Sequence, residues 1–272
     1  MSKLLTMKAL LCAMILLSIQ AKAQYEPMQQ TKVAISPWQT RQALIYLPKD
    51  YKAGNKYPLL VCFHGRSIAG NDLSKIFREG VTRQLKEGKN IEAVNPKDGK
   101  RYQFIVLAPL AENWSFSPQD VGPMLDDVIK RYAVDTTRIY LTGYSAGGWA
   151  VESAKNHDKK QAARIAACIT MSPARIDEPY LKRYNVSAGA GIHTWYFAGQ
   201  DEAYFRDNVK DFADSTNKYK PGMARLTLYP GGHSGWHRFY NPDFRENGMN
   251  IYEWLLQYQR SSSPASNVAR RK

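Results

Sequence analysis

Gly143-Tyr144-Ser145-Ala146-Gly147 is a G-x-S-x-G pentapeptide lying directly behind the apolar run at residues 138–142. Ile139, Tyr140 and Leu141 read as a short buried strand, and residues 147–155 as the start of a helix. A serine on so sharp a strand-to-helix turn has its hydroxyl pushed clear of the backbone, with the helix N-terminus pointing at it. Gly143 and Gly147 are needed because a side chain at either place would collide with the neighbouring strand or helix. The chemistry implied is nucleophilic attack. A serine hydroxyl is a weak nucleophile near neutral pH, so it needs an adjacent base, and the base needs a group that holds its tautomer.

Both partners are available downstream, in the chain order serine, acid, histidine. Asp201 stands at the exit of a strand ending in Tyr196-Phe-Ala-Gly-Gln200, and is favoured as the acid because it is nearest the strand terminus. Glu202 is adjacent, and Asp207 and Asp211 fall on the following helix. His233 lies in Tyr229-Pro-Gly-Gly-His-Ser-Gly-Trp236, where flanking glycines let a loop present an imidazole. His237, four residues on, is its rival; His157 and His193 read as surface or structural, and His64 precedes the serine. The attacked carbonyl also needs donors for its developing charge. The backbone N–H of Ala146 supplies one, and that of Arg66, freed by the turn at Gly65, supplies the other.

Phe63-His64-Gly65, the stretch 138–148, Phe197-Ala-Gly-Gln-Asp201 and Gly232-His233 together resemble the α/β-hydrolase superfamily. Within it the chain is similar to secreted bacterial esterases grouped with polyhydroxybutyrate depolymerases, feruloyl esterases and dienelactone-hydrolase-like enzymes. The resemblance covers about residues 40–258, the stretches 236–244 and 252–256 included. It implies a mostly parallel central sheet flanked by helices, with no large lid domain, and a serine carboxylesterase working through Ser145, His233 and Asp201. Two departures stand out. Dienelactone hydrolases proper use a cysteine where this chain has Ser145, and Arg66 places a charge in the oxyanion loop. A prolyl-oligopeptidase-like peptidase and a catalytically silent binding protein on the same fold are the alternatives. The first usually carries a large gating domain for which there is no room; the second is disfavoured by a complete triad.

The elements that must position these residues alternate between strand-like and amphipathic runs. Strands are expected at 41–47, 58–63, 103–108, 138–142, 166–171, 192–198 and 225–229. A helix over 72–88 is capped by Asp72 and stopped by Gly88, with Leu73, Ile76, Phe77, Val81 and Leu85 on one face. Further helices are expected at 118–132, behind Ser145, at 202–217 and at 250–258. No repeat or linker divides residues 24–260.

Lys3 and Lys8 precede an apolar stretch at 9–17, and Ala21-Lys22-Ala23 then supplies an A-x-A signature. Residues 1–23 therefore read as a secretory signal peptide cleaved after Ala23, the apolar core being too short to span a bilayer. Its removal takes away three lysines and no acid, lowering the formal charge from +14 to +11. That surplus is spread along the chain, which excludes no acidic substrate and specifies none. Residues 261–272, serine-rich and ending Arg270-Arg271-Lys272, read as a disordered basic tail. Secreted or periplasmic location, no nucleic-acid partner, no membrane contact after processing, and no metal or organic cofactor are the expectations. The partner is a small-molecule or polysaccharide ester. Cys62 and Cys168 read as buried free thiols, or as one disulfide if their strands are neighbours.

Overall fold

The computed structural model describes residues 25–261. The expected leader (1–23) and all but the first residue of the expected tail lie outside them. An eight-stranded sheet runs in the order β1-β2-β6-β3-β7-β8-β9-β10. The strands are β1 (Gln29–Ala34), β2 (Thr40–Tyr46), β3 (Tyr57–Phe63), β6 (Ile105–Pro109), β7 (Val134–Tyr144), β8 (Ala167–Met171), β9 (His193–Gly199) and β10 (Ala224–Tyr229). β1 and β2 join antiparallel; every pairing from β6 to β10 is parallel. A small hairpin, β4 (Glu92–Val94) and β5 (Arg101–Gln103), stands apart. The helices are α1 (Gly80–Lys86), α2 (Pro118–Arg131), α3 (Ala146–Lys155), α4 (Lys159–Ala162), α5 (Glu178–Leu181), α6 (Tyr184–Gly189), α7 (Ala203–Tyr219), α8 (His237–Tyr240) and α9 (Ile251–Leu256). No helix among the described residues is long and apolar enough to cross a membrane.

Why the central strands are apolar throughout follows from where alternate residues go. Successive side chains of a strand point to opposite faces, and a sheet covered on both faces needs apolar residues at every position. Leu60, Val106 and Tyr140 join one buried cluster. Their neighbours Leu59, Val61, Ile105, Leu107, Ile139 and Leu141 join the other. Each such aliphatic side chain contributes roughly 1.5–3 kcal/mol on full burial. The strand ends are thereby fixed in space, and the loops at their carboxyl ends become a rigid rim.

Two departures from the sequence expectation matter. β1 reads Gln-Gln-Thr-Lys-Val-Ala and carries no apolar period; it is an edge strand defined by its ladder to β2. The helix expected over 72–88 is broken. A 3₁₀ turn (Leu73–Arg78) capped by Asp72 ends at an extended Glu79, and α1 restarts at Gly80. Gly80 has φ +76, which favours glycine, and a Cβ there would come within 3.3 Å of the Tyr144 ring. The apolar period survives the break because Leu73, Ile76, Val81 and Leu85 still face inward.

Cys62 and Cys168 are free thiols. They sit on β3 and β8, with β7 between them, so the strands are not neighbours.

Candidate active site

Ser145 stands between β7 and α3 with φ 53 and ψ −119, a conformation rare for a residue with a side chain. Two close approaches make this turn possible. A Cβ on Gly143 would fall 2.3 Å from the carbonyl oxygen of Gly147, and one on Gly147 would fall 2.0 Å from that of Phe63. The Ser145 N–H donates to the Met171 carbonyl (2.9 Å), tying the elbow to β8.

His233, on the loop after β10, places Nε2 2.9 Å from Ser145 Oγ. Its Nδ1 lies 2.5 Å from a carboxylate oxygen of Glu202. With Nδ1–H donating to that carboxylate, the lone pair of Nε2 is left to accept from the serine hydroxyl. Phe205 stacks on the imidazole with ring centres 3.7 Å apart, and Trp236 meets it edge-on at 4.8 Å.

The acid is a correction to the sequence reading. Asp201 is exposed, and its N–H is bonded to the carbonyl of Gly231 on the loop after β10. Gln200 is likewise bonded to Tyr229, so the chain beyond β9 stays laced to the end of β10 and the loop after it for two more residues. Only at Glu202, the residue before α7, does it turn a buried carboxylate toward His233. The rule that the residue nearest the strand end supplies the acid fails by one position. Glu202 is held by its other oxygen, Oε1, which accepts from the Gly199 N–H (2.5 Å) and from the Ser172 hydroxyl. Ser172, also at positive φ, in turn accepts from Trp236 Nε1 (3.0 Å). Ser172 and Phe205 were not singled out from sequence. The position of Ser172 at the exit of β8 is the one signal that could have found it.

His237 does not approach Ser145. Its Nδ1 lies 3.0 Å from Glu79 Oε1, the same oxygen that accepts from the N–H groups of His237 and Gly80. His64 is buried between Gly65 O (2.8 Å from Nδ1) and the Ala111 N–H (2.9 Å from Nε2). Nε2 must accept there, so the ring is neutral, and burial pushes its pKa below the ordinary histidine value. It pins the loop carrying Gly65 and Arg66 to the segment after β6.

That loop runs against the nucleophile. A Cβ on Gly65 would be 2.8 Å from the Tyr144 ring and 3.4 Å from Ser145 Cβ. Arg66 opens a 3₁₀ turn (Arg66–Ile68), while Ala146 is the first residue of α3, where N–H groups have no partner within the helix. Ser145, His233, Arg66, Arg78, Glu79 and Trp236 line one open groove of about 700 Å³. Of the aromatics near the strand exits, Trp236 lines it and Phe116 is buried against Phe63. Trp114 packs edge-on against Trp149, and Tyr204 edge-on against Phe205. No group of three or more His, Cys, Asp or Glu among the described residues is placed to hold a metal.

No family model matches the chain. A stretch of 125 residues is 34% identical to probable carboxylesterase 4, mitochondrial, of Arabidopsis thaliana, covering 43% of this chain and 33% of that protein. The match thus spans about a third of the relative's length. Among solved structures, a thermostable esterase is similar with a TM-score of 0.64 at 19% identity, over 88% of this chain and 64% of that one. The feruloyl esterase module from Clostridium thermocellum, complexed with sinapinate, gives 0.57 at 13% identity over 86% and 88%. With the sheet order and the elbow, these likenesses identify the fold: the chain is an α/β-hydrolase in architecture.

Proposed function

We propose that the protein is an exported serine carboxylesterase in which Ser145, His233 and Glu202 form the triad. The observation that carries this reading is the unbroken run of hydrogen bonds from Ser145 Oγ through His233 to Glu202. In the mechanism, His233 Nε2 takes the hydroxyl proton as Oγ attacks the ester carbonyl. Glu202 holds the tautomer and stabilises the imidazolium. The backbone N–H groups of Arg66 and Ala146 donate to the oxyanion, in a setting where fixed dipoles are worth more than in water. The imidazolium then protonates the leaving alcohol, and water, activated by the same histidine, releases the acid from Ser145.

Residues 1–23 support export with cleavage after Ala23, and so a secreted or periplasmic ester as substrate. Acetyl or feruloyl esters on polysaccharide fit that location, and the feruloyl esterase likeness favours them as the first compounds to assay.

The purified mature protein should be labelled at Ser145 by a fluorophosphonate and should hydrolyse short nitrophenyl esters, acetylated xylan or methyl ferulate. Ser145→Ala should lose the label and lower turnover by about 10⁴–10⁶. A native protein that takes no label is a binding protein on this fold. One that takes the label and cleaves peptide anilides but no ester is a peptidase.

A further inference from the structure

Two guanidinium groups share the groove with Ser145 and His233. Arg66 and Arg78 both line it, and both are exposed. Elsewhere the arginines of this chain are commonly engaged, as Arg41 is with Glu112, Arg131 with Asp127 and Arg175 with Asp211. Among the described residues no ion pair or hydrogen bond engages the side chain of Arg66 or Arg78. Each nearby acid has one oxygen committed elsewhere, and neither forms an ion pair with the two arginines. Glu79 gives Oε1 to Gly80 and His237. Asp72 gives Oδ1 to the N–H and hydroxyl of Ser74 (3.0 and 2.6 Å). Its carboxyl is held below the usual range first by that serine, and less by Lys75 and Arg78.

An exposed cation on a convex surface is ordinarily solvated and worth little. Two of them, with their forks unspent, in the concavity that holds the nucleophile, are a different case. Guanidinium is weakly hydrated and matches a carboxylate with two parallel N–H···O bonds. Trp236, Tyr144 and Ile68 line the same groove and give it an apolar wall.

We infer that Arg66 and Arg78 select esters that carry a carboxylate within reach of the scissile bond. The inference rests on the esterase reading above and narrows its substrate to anionic esters. The carboxylate belongs either to the acyl part, as in a monoester of a dicarboxylic acid, or to the alcohol part, as in an acylated hydroxy acid.

Matched pairs separate these sources. In one arm, 4-nitrophenyl hydrogen glutarate is compared with 4-nitrophenyl valerate; in the other, 4-butyryloxybenzoate with 4-butyryloxybenzamide. In at least one arm the anionic member should have a kcat/KM tenfold or more above its neutral partner, and 0.5 M NaCl should reduce that ratio severalfold. In the Arg66→Gln/Arg78→Gln protein the ratio should fall to about one. A ratio at or below one in both arms of the native enzyme, or a ratio unchanged in the double variant, overturns the inference. Binding to the Ser145→Ala protein keeps it separate from the esterase reading. By ligand-detected NMR, glutarate or 4-hydroxybenzoate should bind at least tenfold more tightly than valeramide or 4-hydroxybenzamide, and the arginine substitutions should remove the difference. If no ester, neutral or anionic, is turned over yet carboxylates bind this way, the esterase reading fails and the anion site stands. If esters are turned over and carboxylates show no preference, the reverse holds.

Discussion

Two glutamate–histidine pairs, their histidines four residues apart along the chain, each put one member into the groove beside Ser145. In both, the histidine turns Nδ1 to a carboxylate: His233 to Glu202 and His237 to Glu79. The difference lies in what the second nitrogen and the second oxygen do. Nε2 of His233 reaches Ser145, while Nε2 of His237 has no hydrogen-bond partner among the described residues and Arg83 Nη1 lies 3.3 Å from its Nδ1 instead. Glu202 is buried and spends Oε1 on Gly199 and Ser172, leaving Oε2 for the imidazole. Glu79 spends a single oxygen on everything it holds, and that oxygen closes the break between the 3₁₀ turn and α1. One pair is aimed by its loop at a reacting atom; the other fastens α8 to α1. A carboxylate–histidine contact is therefore no sign of catalysis until the far nitrogen is located.

Exchanging the histidines is the sharpest way to break this comparison. His233→Ala should lower kcat/KM for a nitrophenyl ester by about 10⁴–10⁶, as removal of the nucleophile does. His237→Ala should stay within about tenfold of the native value. Comparable losses in the two variants would mean that the second pair also acts on the substrate.

Among the carboxylates the effects are smaller and should be as unequal. Glu202→Gln keeps the shape but loses the charge and disturbs the tautomer, and about 10⁴ in kcat is the expected loss. Asp201→Asn should fall within threefold of the native enzyme. Glu79→Ala should act on stability instead, costing about 1–3 kcal/mol by denaturant melts because the part-buried N–H groups of Gly80 and His237 lose their acceptor. An inactive Asp201→Asn beside an active Glu202→Gln would return the acid to the position that strand geometry alone suggests.

The smallest effect concerns a histidine in neither pair. His64 is held neutral by burial, with a folded-state pKa below its unfolded value of about 6.5. As pH falls below that value the unfolded chain takes up a proton that the folded chain still refuses, so this histidine lowers stability on the acid side. Melting temperature should drop as pH falls from 7 toward 5, and His64→Gln should show a shallower drop. Equal slopes in the two proteins would show that His64 is not the group responsible.

The nucleophile and its base were legible in sequence because their constraints are local. Gly143, Gly147 and the apolar run before them specify a turn whatever the rest of the fold does. His233 was legible through its glycine-flanked loop. The acid was not, because the choice between Asp201 and Glu202 depends on hydrogen bonds to a loop 30 residues later, through Gly231 and Tyr229. The break at Glu79–Gly80 was hidden for a related reason. Its apolar residues keep a helical period, while what stops the helix is a partner 158 positions away. β1 escaped notice because an edge strand is held by backbone bonds that leave no mark on side-chain type.

The grip on Glu202 has a consequence for how such a site changes over generations. An aspartate at 202 would fall short by about 1.5 Å, one carbon–carbon bond, and could not serve Gly199, Ser172 and His233 together. An aspartate at 201 already exists but is exposed and makes no bond to His233. Exchanging Glu202 for an aspartate would therefore also require the segment after β9 to carry its Cα closer to His233. Acid type and the path of the segment after β9 are thus one geometric choice, and proteins of this fold that differ in the first should differ in the second.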